Sequence, residues 1–573
     1  MVRYAIDPVT RIEGHLRIEV EVGDSRVQDA WSTGTMFRGI EKILAGRNPL
    51  EAWMLAQRAC GVCTHVHAIS SVRAVENALK IQIPTNARIL RNLMCGVQAV
   101  HDHIIHFYHL HLPDWVDVTK TLSADPTKTA ALAAATNVGW SNNSVAWFTT
   151  VKDRLAAFAG SGQLGPFTNG YWGHPAYTCT PEESLLLYAH YLEALEFQRE
   201  IAKIHAYIGG KNPHPQTYAV GGMSTWFSPT ARSGVNTANL TKMRTIAQAA
   251  KRFVDQVLMP DVVLLAKRYR APWFIVGTGL GNMLAYGDMP LNDTPGTGSY
   301  LFPAGRVVGK NLAAVLPLDP AKVAETVARS WYSYGGGDGA LLPPYTGETT
   351  PKYTGPTPPY AMINPGADGK YSWLKAPRYE GGAYEVGPLA RVMVGYAAKK
   401  PAFVASVDAF VRKVGGISVN SMFSTMGRLG ARAIETQIIA AQIDPWLAQL
   451  ETNQRNGNLA VAAPVPAKAN WGTVQGYGTT EAPRGALGHW VVIENGVVKT
   501  YQMVVATTWN GSPRDGAGNR GAWEQALVGN PLLDPARPVE LLRTVHSFDP
   551  CMGCSVHVLD PDGGEPLSMV TVV

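Results

Sequence analysis

The chain has 573 residues, of which 46% are hydrophobic and 16% are charged, so it is long enough to bury a large core. Its 50 basic and 44 acidic residues are interspersed and leave a net charge of +6, without the long basic run that would favour nucleic-acid binding. No segment approaches about 18 consecutive apolar residues, and the first residues lack a basic-then-apolar pattern. We therefore expect neither a transmembrane helix nor a secretory signal in this chain.

The N-terminal segment, about 1–35, is predicted to form β-structure. His15 to Val22 alternate apolar and polar side chains, which indicates a strand with one buried face. Helical spacing follows from Pro49 to about Lys80 and from Asn86 to about His111, so the first cysteine pair lies on or beside a helix. Further helices are predicted at about 125–160, 182–208, 239–270, 319–331, 386–413 and 430–452.

The composition changes to Gly, Pro, Tyr and Asp between about 277 and 380, which predicts long, irregular surface structure. After Pro464 the pattern turns to β, and the Asn495-Gly496 pair predicts a hairpin between two apolar strands. The prediction is an α+β fold, mainly helical, with a central long-helix bundle and peripheral small β-sheets. The helical core spans about 49–455, and the C-terminal hairpin with its metal-binding segment spans about 480–557.

Four of the six cysteines form two Cys-x-x-Cys pairs at opposite ends of the chain, Cys60 with Cys63 and Cys551 with Cys554. This spacing brings both sulfurs of a pair within reach of one ion or ion pair, and a metal stabilises thiolates at neutral pH. If the pairs meet, residues 1–557 form a single intertwined unit. Spacing alone leaves structural zinc and a redox metal open, whereas a disulfide within a pair would close a very small ring.

Histidines accompany both pairs, because His67 follows Cys63 by four residues and His557 follows Cys554 by three. On a continuing helix, the His67 imidazole could donate to a thiolate. The stretch 101–111 holds five more histidines that do not share one helical face, which disfavours a second metal there. The remaining cysteines, Cys95 and Cys179, are predicted to be buried thiols.

Five ordered segments resemble the large subunit of nickel-iron hydrogenases, most closely the membrane-associated uptake class. They are Asp7–His15, Phe37–Glu41, Arg58–His67, Glu481–Gly485 and His546–His557, and they span the chain. The resemblance implies an oxidoreductase that reversibly cleaves molecular hydrogen to protons and electrons, physiologically in the direction of hydrogen oxidation. An alternative with the same fold, the quinone-site subunit of respiratory complex I, has lost the cysteines that this chain keeps.

The resemblance also implies a ligand set. Cys60 and Cys551 would be terminal thiolates on nickel, and Cys63 and Cys554 would bridge nickel to an iron that carries carbon monoxide and cyanide. Soft thiolates suit nickel, and the diatomic ligands keep iron low-spin, which leaves a position between the metals open for hydrogen. A non-catalytic protein with four-cysteine zinc remains the other interpretation, and metal analysis separates the two.

A magnesium ion is implied as well, with Glu41, the backbone carbonyl of Met503 and the ring of His557 as ligands and waters completing an octahedral shell. The alternative for Glu41 is an exposed position on a surface helix. Thr507 matches the hydroxyl residue that contacts a cyanide, although Ala506 stands where many relatives have proline. Pro483 and His67 would also lie beside the metal ligands.

The implied catalytic residues are Arg484, Asp102, Asp549 and Glu13. Arg484 would lie over the open position, with the two aspartates around it, and Glu13 would relay protons from the Cys551 thiolate. Because arginine is normally too basic to lose its proton, its role as a base or as an electrostatic positioner stays open. Taken without the resemblance, Glu13 could simply pair with Arg11, and Asp102 could make local contacts.

The resemblance implies that family members end at the histidine that matches His557 once a C-terminal extension has been removed, whereas this sequence continues from Val558 to Val573. The resemblance implies an extension, 558–573, that a maturation endopeptidase removes after nickel-insertion proteins have acted, so a chain that keeps it is expected to be immature or metal-free. Because the sequence has no further cysteine cluster, electrons need an iron-sulfur small subunit. In this class the small subunit carries the export signal, and a membrane subunit accepts the electrons. The resemblance therefore implies that the enzyme lies at the periplasmic face of the inner membrane. The cytoplasm is the alternative location.

Overall fold

The computed structural model describes residues 1–162, 165–167, 170–294, 299–355 and 369–555. The mainly helical α+β prediction is confirmed, with long helices at the centre and small sheets around them. No helix in these ranges combines the length and the apolar character needed to cross a bilayer. The main helices are Ile40–Leu44, Ala52–Ala56, Val66–Leu79, Thr85–Ile105, Pro126–Thr136, Val145–Gly160, Pro181–Gly209, Thr237–Phe253, Met259–Arg268, Pro388–Ala397, Pro401–Lys413, Thr425–Arg455, Ala506–Asn510, Ala522–Leu527 and Val539–Ser547.

The bundle is built on the helices Thr85–Ile105, Pro181–Gly209 and Thr425–Arg455. The first packs against both of the others. At Gly96 the approach to Thr425–Arg455 is close, since a Cβ there would lie 3.1 Å from Ile439. The helices therefore cross where the sequence supplies a residue without a side chain.

Local signals in the sequence set the ends of these helices. The Thr180 hydroxyl accepts a hydrogen bond from the Glu183 amide, and the Glu183 carboxylate accepts one from the Thr180 amide, so both unpaired donors at the start of Pro181–Gly209 are satisfied. The same helix ends at Gly210, whose φ of 79° lies in the left-handed region that favours glycine.

Two three-stranded antiparallel sheets come from opposite ends of the chain. The predicted N-terminal β-structure is present as Val2–Ile6, Leu16–Gly23 and Arg26–Gly34. The C-terminal sheet contains Val474–Ala482, Gly485–Glu494 and Val497–Val504, and its last two strands form the predicted hairpin. Asn495 and Gly496 take φ values of 53° and 73°, the left-handed pair that a two-residue hairpin turn requires.

The C-terminal sheet packs closely on the helix Val66–Leu79, which follows the first cysteine pair. Strand Val474–Ala482 crosses this helix at Gly476 and Gly478. A Cβ on Gly476 would lie 2.3 Å from the Ala78 amide nitrogen, and one on Gly478 would lie 2.1 Å from the Ser70 carbonyl oxygen. Only glycine permits this approach, which fixes the helix against the sheet.

Some predictions of local structure were wrong in part or in full. The stretch 319–331 is a 3-10 turn, Pro320–Lys322, followed by the strand Val323–Thr326, because the strand Ala376–Tyr379 supplies an antiparallel partner that outweighs helix propensity. The region 277–380 is irregular but not only superficial, since it holds short strands such as Met283–Ala285, which is buried. The predicted helix from Pro49 to Lys80 is interrupted at Cys60–His65, so the cysteine pair lies on a loop between helices.

Candidate metal centre

Three cysteine sulfurs from the two ends of the chain lie within 4.8 Å of one another, those of Cys60, Cys63 and Cys551. The Cys60 and Cys551 sulfurs are 3.4 Å apart, although 491 positions separate them. All three residues are buried. The Cys554 side chain lies outside the described part of the structure. Within the described part, these three form the only group of at least three His, Cys, Asp or Glu side chains close enough to share an ion.

The two cysteine loops are joined through the N-terminal segment. Glu13 forms an isolated parallel β-bridge with Cys551, and the Met552 amide donates to the Glu13 carbonyl over 2.7 Å. Gly14, with a φ of 78°, faces the same loop, and a Cβ there would lie 2.7 Å from the Met552 Cβ. Arg38 binds both loops by donating to the carbonyls of Ala59 and Gly553.

The Glu13 carboxylate faces the Cys551 sulfur. Glu13 Oε2 accepts a hydrogen bond from the Gly553 amide at 2.5 Å and one from the Cys551 thiol at 3.4 Å. Burial raises the pKa of Glu13 above its ordinary value, and the Cys60 sulfur raises it further. The arrangement gives a proton a direct step between a sulfur and a carboxylate.

Arg484 lies between two aspartates. Its Nη1 donates to Asp102 Oδ2 over 2.8 Å, and its Nε is 3.2 Å from Asp549 Oδ2. Burial by itself would lower the pKa of Arg484, but the charges of Asp549, Cys551 and Asp102 raise it well above its ordinary value. The guanidinium therefore stays protonated beside the sulfurs.

Asp102 is held by more than Arg484. Its Oδ1 accepts hydrogen bonds from Gln98 Nε2 at 2.5 Å and from His101 at 2.9 Å. Burial raises the pKa of Asp102, but the Arg484 charge and the His101 contact outweigh burial and leave it below its ordinary value. Arg11 pairs with Asp114 rather than with Glu13. Asp102 makes the local contacts that were the alternative and, in addition, the contact with Arg484.

The other predicted neighbours of the ligands surround the same centre. The Thr507 hydroxyl accepts a hydrogen bond from the Cys551 amide over 3.2 Å. Pro483 is buried next to Arg484, and its carbonyl accepts a hydrogen bond from Arg391 at 3.0 Å. His67 is buried with its Nδ1 3.0 Å from His489 Nε2, and burial lowers the pKa of His67 to about 4.

Glu41 is not an exposed surface residue. Its Oε1 accepts a hydrogen bond from the Met503 amide at 2.8 Å, and its Oε2 contacts the Thr349 hydroxyl and lies 3.3 Å from Lys375 Nζ. Glu41, Glu325, Lys375 and Met503 line a cavity of about 30 Å³. Two carboxylates and one ammonium leave room and negative charge for a hard cation. His557, the third predicted magnesium ligand, lies outside the described residues, as does the extension 558–573.

Each of the five histidines in the stretch 101–111 contacts an oxygen atom of the protein. The two shortest of these contacts join His103 to Glu435 at 2.5 Å and His106 to the His546 carbonyl at 2.6 Å. They therefore join the helix Thr85–Ile105 and its continuation to their neighbours rather than to a metal. Burial raises the pKa of Cys95 and of Cys179 to about 12, so both are buried thiols as predicted.

Neither the motifs nor the family resemblance pointed to Arg38, Lys375 or His489. Arg38 stands inside the segment Phe37–Glu41, one of those that carry the resemblance. Lys375 lies in the irregular region, where no periodicity marks it. The burial of His489 could have been predicted, because it lies two positions from both Leu487 and Val491 on a strand and therefore on the same buried face.

The donor set fits a soft transition metal, since three buried sulfurs converge and a permanent cation balances their charge. A family model described as nickel-dependent hydrogenase matches residues 38–557, and one described as HoxL-like matches residues 3–32.

The chain is 46% identical to the uptake hydrogenase large subunit of Rhizobium leguminosarum bv. viciae, over 98% of this chain and 96% of that protein. It is 45% identical to the hydrogenase-1 large chain of Escherichia coli K12, over 99% and 97%. The structure of the Ni-Fe-Se hydrogenase of D. vulgaris Hildenborough matches with a TM-score of 0.77 and 33% identity, over 97% of this chain and 100% of that one.

Proposed function

Since this chain belongs to the nickel-dependent hydrogenase family, we propose that Cys60, Cys63, Cys551 and Cys554 hold a nickel-iron centre whose iron carries carbon monoxide and cyanide. The chain is a hydrogenase large subunit, and its reaction is the cleavage of molecular hydrogen to protons and electrons. The observation that carries the proposal is the convergence of three buried thiols beside Arg484. When bound, the metal pair supplies a Lewis-acidic and redox-active position at which hydrogen is polarised and its electrons are taken up.

Arg484 acts in this proposal as an electrostatic positioner. Its two carboxylate partners hold the guanidinium in place and favour its charged form, so we assign it this role rather than that of a base. A fixed positive charge in a buried site stabilises the negative charge that develops during the reaction, because the guanidinium does not have to move when that charge appears. Asp102 and Asp549 therefore contribute by holding Arg484 in place.

Glu13 is the proton carrier of the proposal. Heterolytic cleavage releases one proton near the sulfurs, and the Cys551 thiol donates to Glu13 Oε2. Burial raises the pKa of Glu13 above its ordinary value, so this carboxylate takes up a proton from the thiol more readily than an exposed one would. The proton would pass from the Cys551 sulfur to the Glu13 carboxylate and from there to solvent.

Magnesium is proposed for the cavity at Glu41. Glu41 and the backbone carbonyl of Met503 would hold it together with His557. The hydrogen bond from the Met503 amide to Glu41 makes these two residues neighbours, which supports the pairing. The ion would join the strand Val497–Val504 to the segment that follows Cys554. Thr507, which binds the Cys551 amide, would lie beside the cyanide ligands.

An iron-sulfur small subunit would dock next to the centre, on the Cys60 face, which we define as Met54, Leu55, Arg58, Gly61 and Val62. All five are exposed and lie within six positions of the buried Cys60, and three of them are apolar. Arg58 also donates to His214 at 2.8 Å, and His214 contacts the Cys60 carbonyl at 2.9 Å, so the face is firmly shaped. An apolar face beside the sulfurs gives electrons a short exit into a docked partner.

Maturation and export would follow the insertion of the metals. A maturation endopeptidase would remove 558–573 after nickel-insertion proteins load the site, and the heterodimer would reach the periplasmic face of the inner membrane, where a membrane electron-transfer subunit accepts electrons. Mass spectrometry of protein that oxidises hydrogen is expected to show a chain ending at His557. An intact extension in active enzyme would contradict this step.

Infrared spectroscopy of the purified large and small subunits tests the centre itself. We expect carbonyl and cyanide stretches, with nickel and iron near one equivalent each by metal analysis. Stoichiometric zinc without these bands would overturn the proposal and favour a structural metal site.

A further inference from the structure

Arg484 lies in a tight turn whose backbone is held by a second buried arginine. Ala482 pairs with Gly485 across the C-terminal sheet, so Pro483 and Arg484 form the two-residue turn between its first two strands. Arg391 donates to the Ala482 carbonyl at 2.8 Å and to the Pro483 carbonyl at 3.0 Å. The backbone just before Arg484 is therefore bound to a side chain of the core.

The Arg391 guanidinium uses each of its five N–H groups. Besides the two carbonyls, its Nη1 donates to Glu481 Oε2 over 2.8 Å, and its Nε and Nη2 donate to the two oxygens of Glu435 over 2.9 and 2.7 Å. All three side chains are buried. Burial alone would lower the pKa of Arg391, but the charges of Glu435 and Glu481 raise it above its ordinary value. Arg391 is thus a fixed cation whose planar fork a lysine cannot reproduce.

The helix Pro388–Ala397, which carries Arg391, begins against the same turn. Gly387 precedes this helix with a φ of 115°, and a Cβ there would lie 2.9 Å from the Arg484 carbonyl oxygen. A Cβ on Gly485 would in turn lie 2.6 Å from the Gly387 amide nitrogen. The helix and the turn therefore meet backbone to backbone, at a distance that only glycine permits.

The carboxylate that binds Arg391 also binds the helix of Asp102. His103 Nε2 lies 2.5 Å from Glu435 Oε1, and His103 follows Asp102 directly on the central helix. Burial would raise the pKa of Glu435, but Arg391 and His103 outweigh burial and lower it to about 2, so this carboxylate stays ionised at neutral pH. Both partners of the ion pair between Arg484 and Asp102 are therefore fixed through Glu435.

We propose that Arg391 is a positioning residue: by binding the backbone of the turn, it holds Arg484 at hydrogen-bonding distance from Asp102. This inference rests on the proposed nickel-iron site, because Arg484 serves the reaction only if metals bind beside it. A guanidinium that is displaced by about 1 Å loses much of its effect on charge that develops in the reaction. Because Arg391 binds the turn through backbone carbonyls, its effect on the reaction passes through Arg484.

The test is a double-mutant cycle in the heterodimer, with Arg391→Lys, Arg484→Lys and the double variant. Arg391→Lys is expected to lower the rate of hydrogen oxidation per intact centre about tenfold, because one ammonium cannot hold both carbonyls of the turn. In the Arg484→Lys background the same change is expected to lower the rate less than about twofold, since the group that it positions is already absent. Infrared carbonyl bands measure the number of intact centres.

The carbonyl stretch is a second measurement, independent of turnover. Arg391→Lys is expected to shift it, because the positive charge of Arg484 moves relative to the metals. In the Arg484→Lys background, Arg391→Lys is expected to leave the stretch where Arg484→Lys alone has placed it. A role of Arg391 in stability alone would change neither the stretch nor the rate per intact centre.

Arg91→Lys is the matched control. Arg91 is buried and binds both oxygens of Glu76, at 2.8 and 2.7 Å. It also donates to the carbonyls of Ala219 and Gly222, so it repeats the bonding pattern of Arg391 on another segment of backbone. Both lysine variants are expected to lower the thermal unfolding midpoint, whereas only Arg391→Lys should change the rate per intact centre and the carbonyl stretch. Equal rate losses in the two variants would overturn the positioning role.

The outcomes separate this inference from the proposed function. Native heterodimer without carbonyl bands would overturn the proposed site, and the inference with it. Bands in every variant, together with an unchanged rate in Arg391→Lys or with rate losses that multiply in the double variant, would overturn the inference and leave the site standing. If Arg391→Lys does not fold, Glu435→Gln takes its place in the cycle, because one amide oxygen cannot accept both arms of the guanidinium.

Discussion

Arg484 donates a 2.8 Å hydrogen bond to Asp102, although 382 positions separate the two residues in the sequence. Asp102 lies near the end of the central helix Thr85–Ile105, and Arg484 lies in the connection between two strands of the C-terminal sheet. Both side chains are buried, so water does not solvate either charge and each depends on the other for compensation. The bundle and the sheet thus share one pair of charges beside the metal centre.

Arg484→Lys is expected to lower the rate of hydrogen oxidation about a hundredfold. Lysine keeps the charge, but a single ammonium cannot bind Asp102 and Asp549 with a planar fork. The measurement is hydrogen-dependent dye reduction, with infrared bands and metal content as evidence that the centre is intact. A variant within about threefold of native activity would show that charge alone suffices.

Glu13→Gln is expected to slow turnover about a hundredfold or more, because an amide accepts the Gly553 hydrogen bond but carries no exchangeable acidic proton. Hydrogen-deuterium exchange catalysed by the enzyme should fall in parallel, since proton release from the centre is the step removed. Cyanide and carbonyl bands should remain. Normal turnover in a variant with normal bands would exclude Glu13 as the carrier.

Glu524 is expected to make the enzyme less stable as pH rises from about 5 to 8. Burial raises its pKa to about 7, against the partial opposing effect of Arg514, while its Oε1 accepts hydrogen bonds from Tyr371 at 2.8 Å and from the Ser32 amide at 3.1 Å. The folded state keeps a proton that the unfolded state has lost above about pH 4.3. Stability is therefore fully present below that pH and is lost as pH rises to 7, by on the order of 3 kcal/mol.

Glu524→Gln removes this titration. Thermal unfolding midpoints of native and variant enzyme should differ in their pH dependence, with the native midpoint falling more steeply between pH 5 and 8. Glu51→Gln, at an exposed position, serves as the control and should follow the native curve. Parallel curves for native enzyme and Glu524→Gln would contradict the assignment.

Val62→Glu is expected to weaken association with the small subunit at least tenfold, about 1.4 kcal/mol, because it places an unpaired carboxylate on the apolar Cys60 face. Val62 lies between two centre cysteines and is 37% exposed. Co-purification with a tagged small subunit measures the effect. Val138→Glu, on a surface loop and 69% exposed, is the matched control. Equal recovery of the two variants would place the docking surface elsewhere.

The fold was predictable where a local pattern decides structure. The strand Leu16–Gly23 followed from alternation, the hairpin from Asn495-Gly496, and the helix Pro181–Gly209 from its apolar spacing. The stretch 319–331 was not, because Val323–Thr326 becomes a strand only through pairing with residues fifty or more positions away. Local propensity has no information about that partner.

Part of the site was also predictable from the sequence. The cysteine spacing predicted that the sulfurs of the two pairs converge, and three of them do. The family resemblance pointed to Arg484, Asp102, Asp549 and Glu13, which lie beside these sulfurs or contact one another there. His489 could not be predicted as a neighbour of His67, because their contact exists only where Gly478 lets a helix touch a sheet. Contacts of this kind depend on tertiary packing and leave no periodic trace in the sequence.

The bridge between Glu13 and Cys551 sets an order on biosynthesis. Translation runs from the first sulfur pair to the second, so a ribosome must read almost the whole message before the pocket can close. A nascent chain, or one cut short by a premature stop codon, carries a single pair and offers an incoming ion an open, weak chelate. Synthesis of the second pair is therefore a precondition for a complete metal pocket.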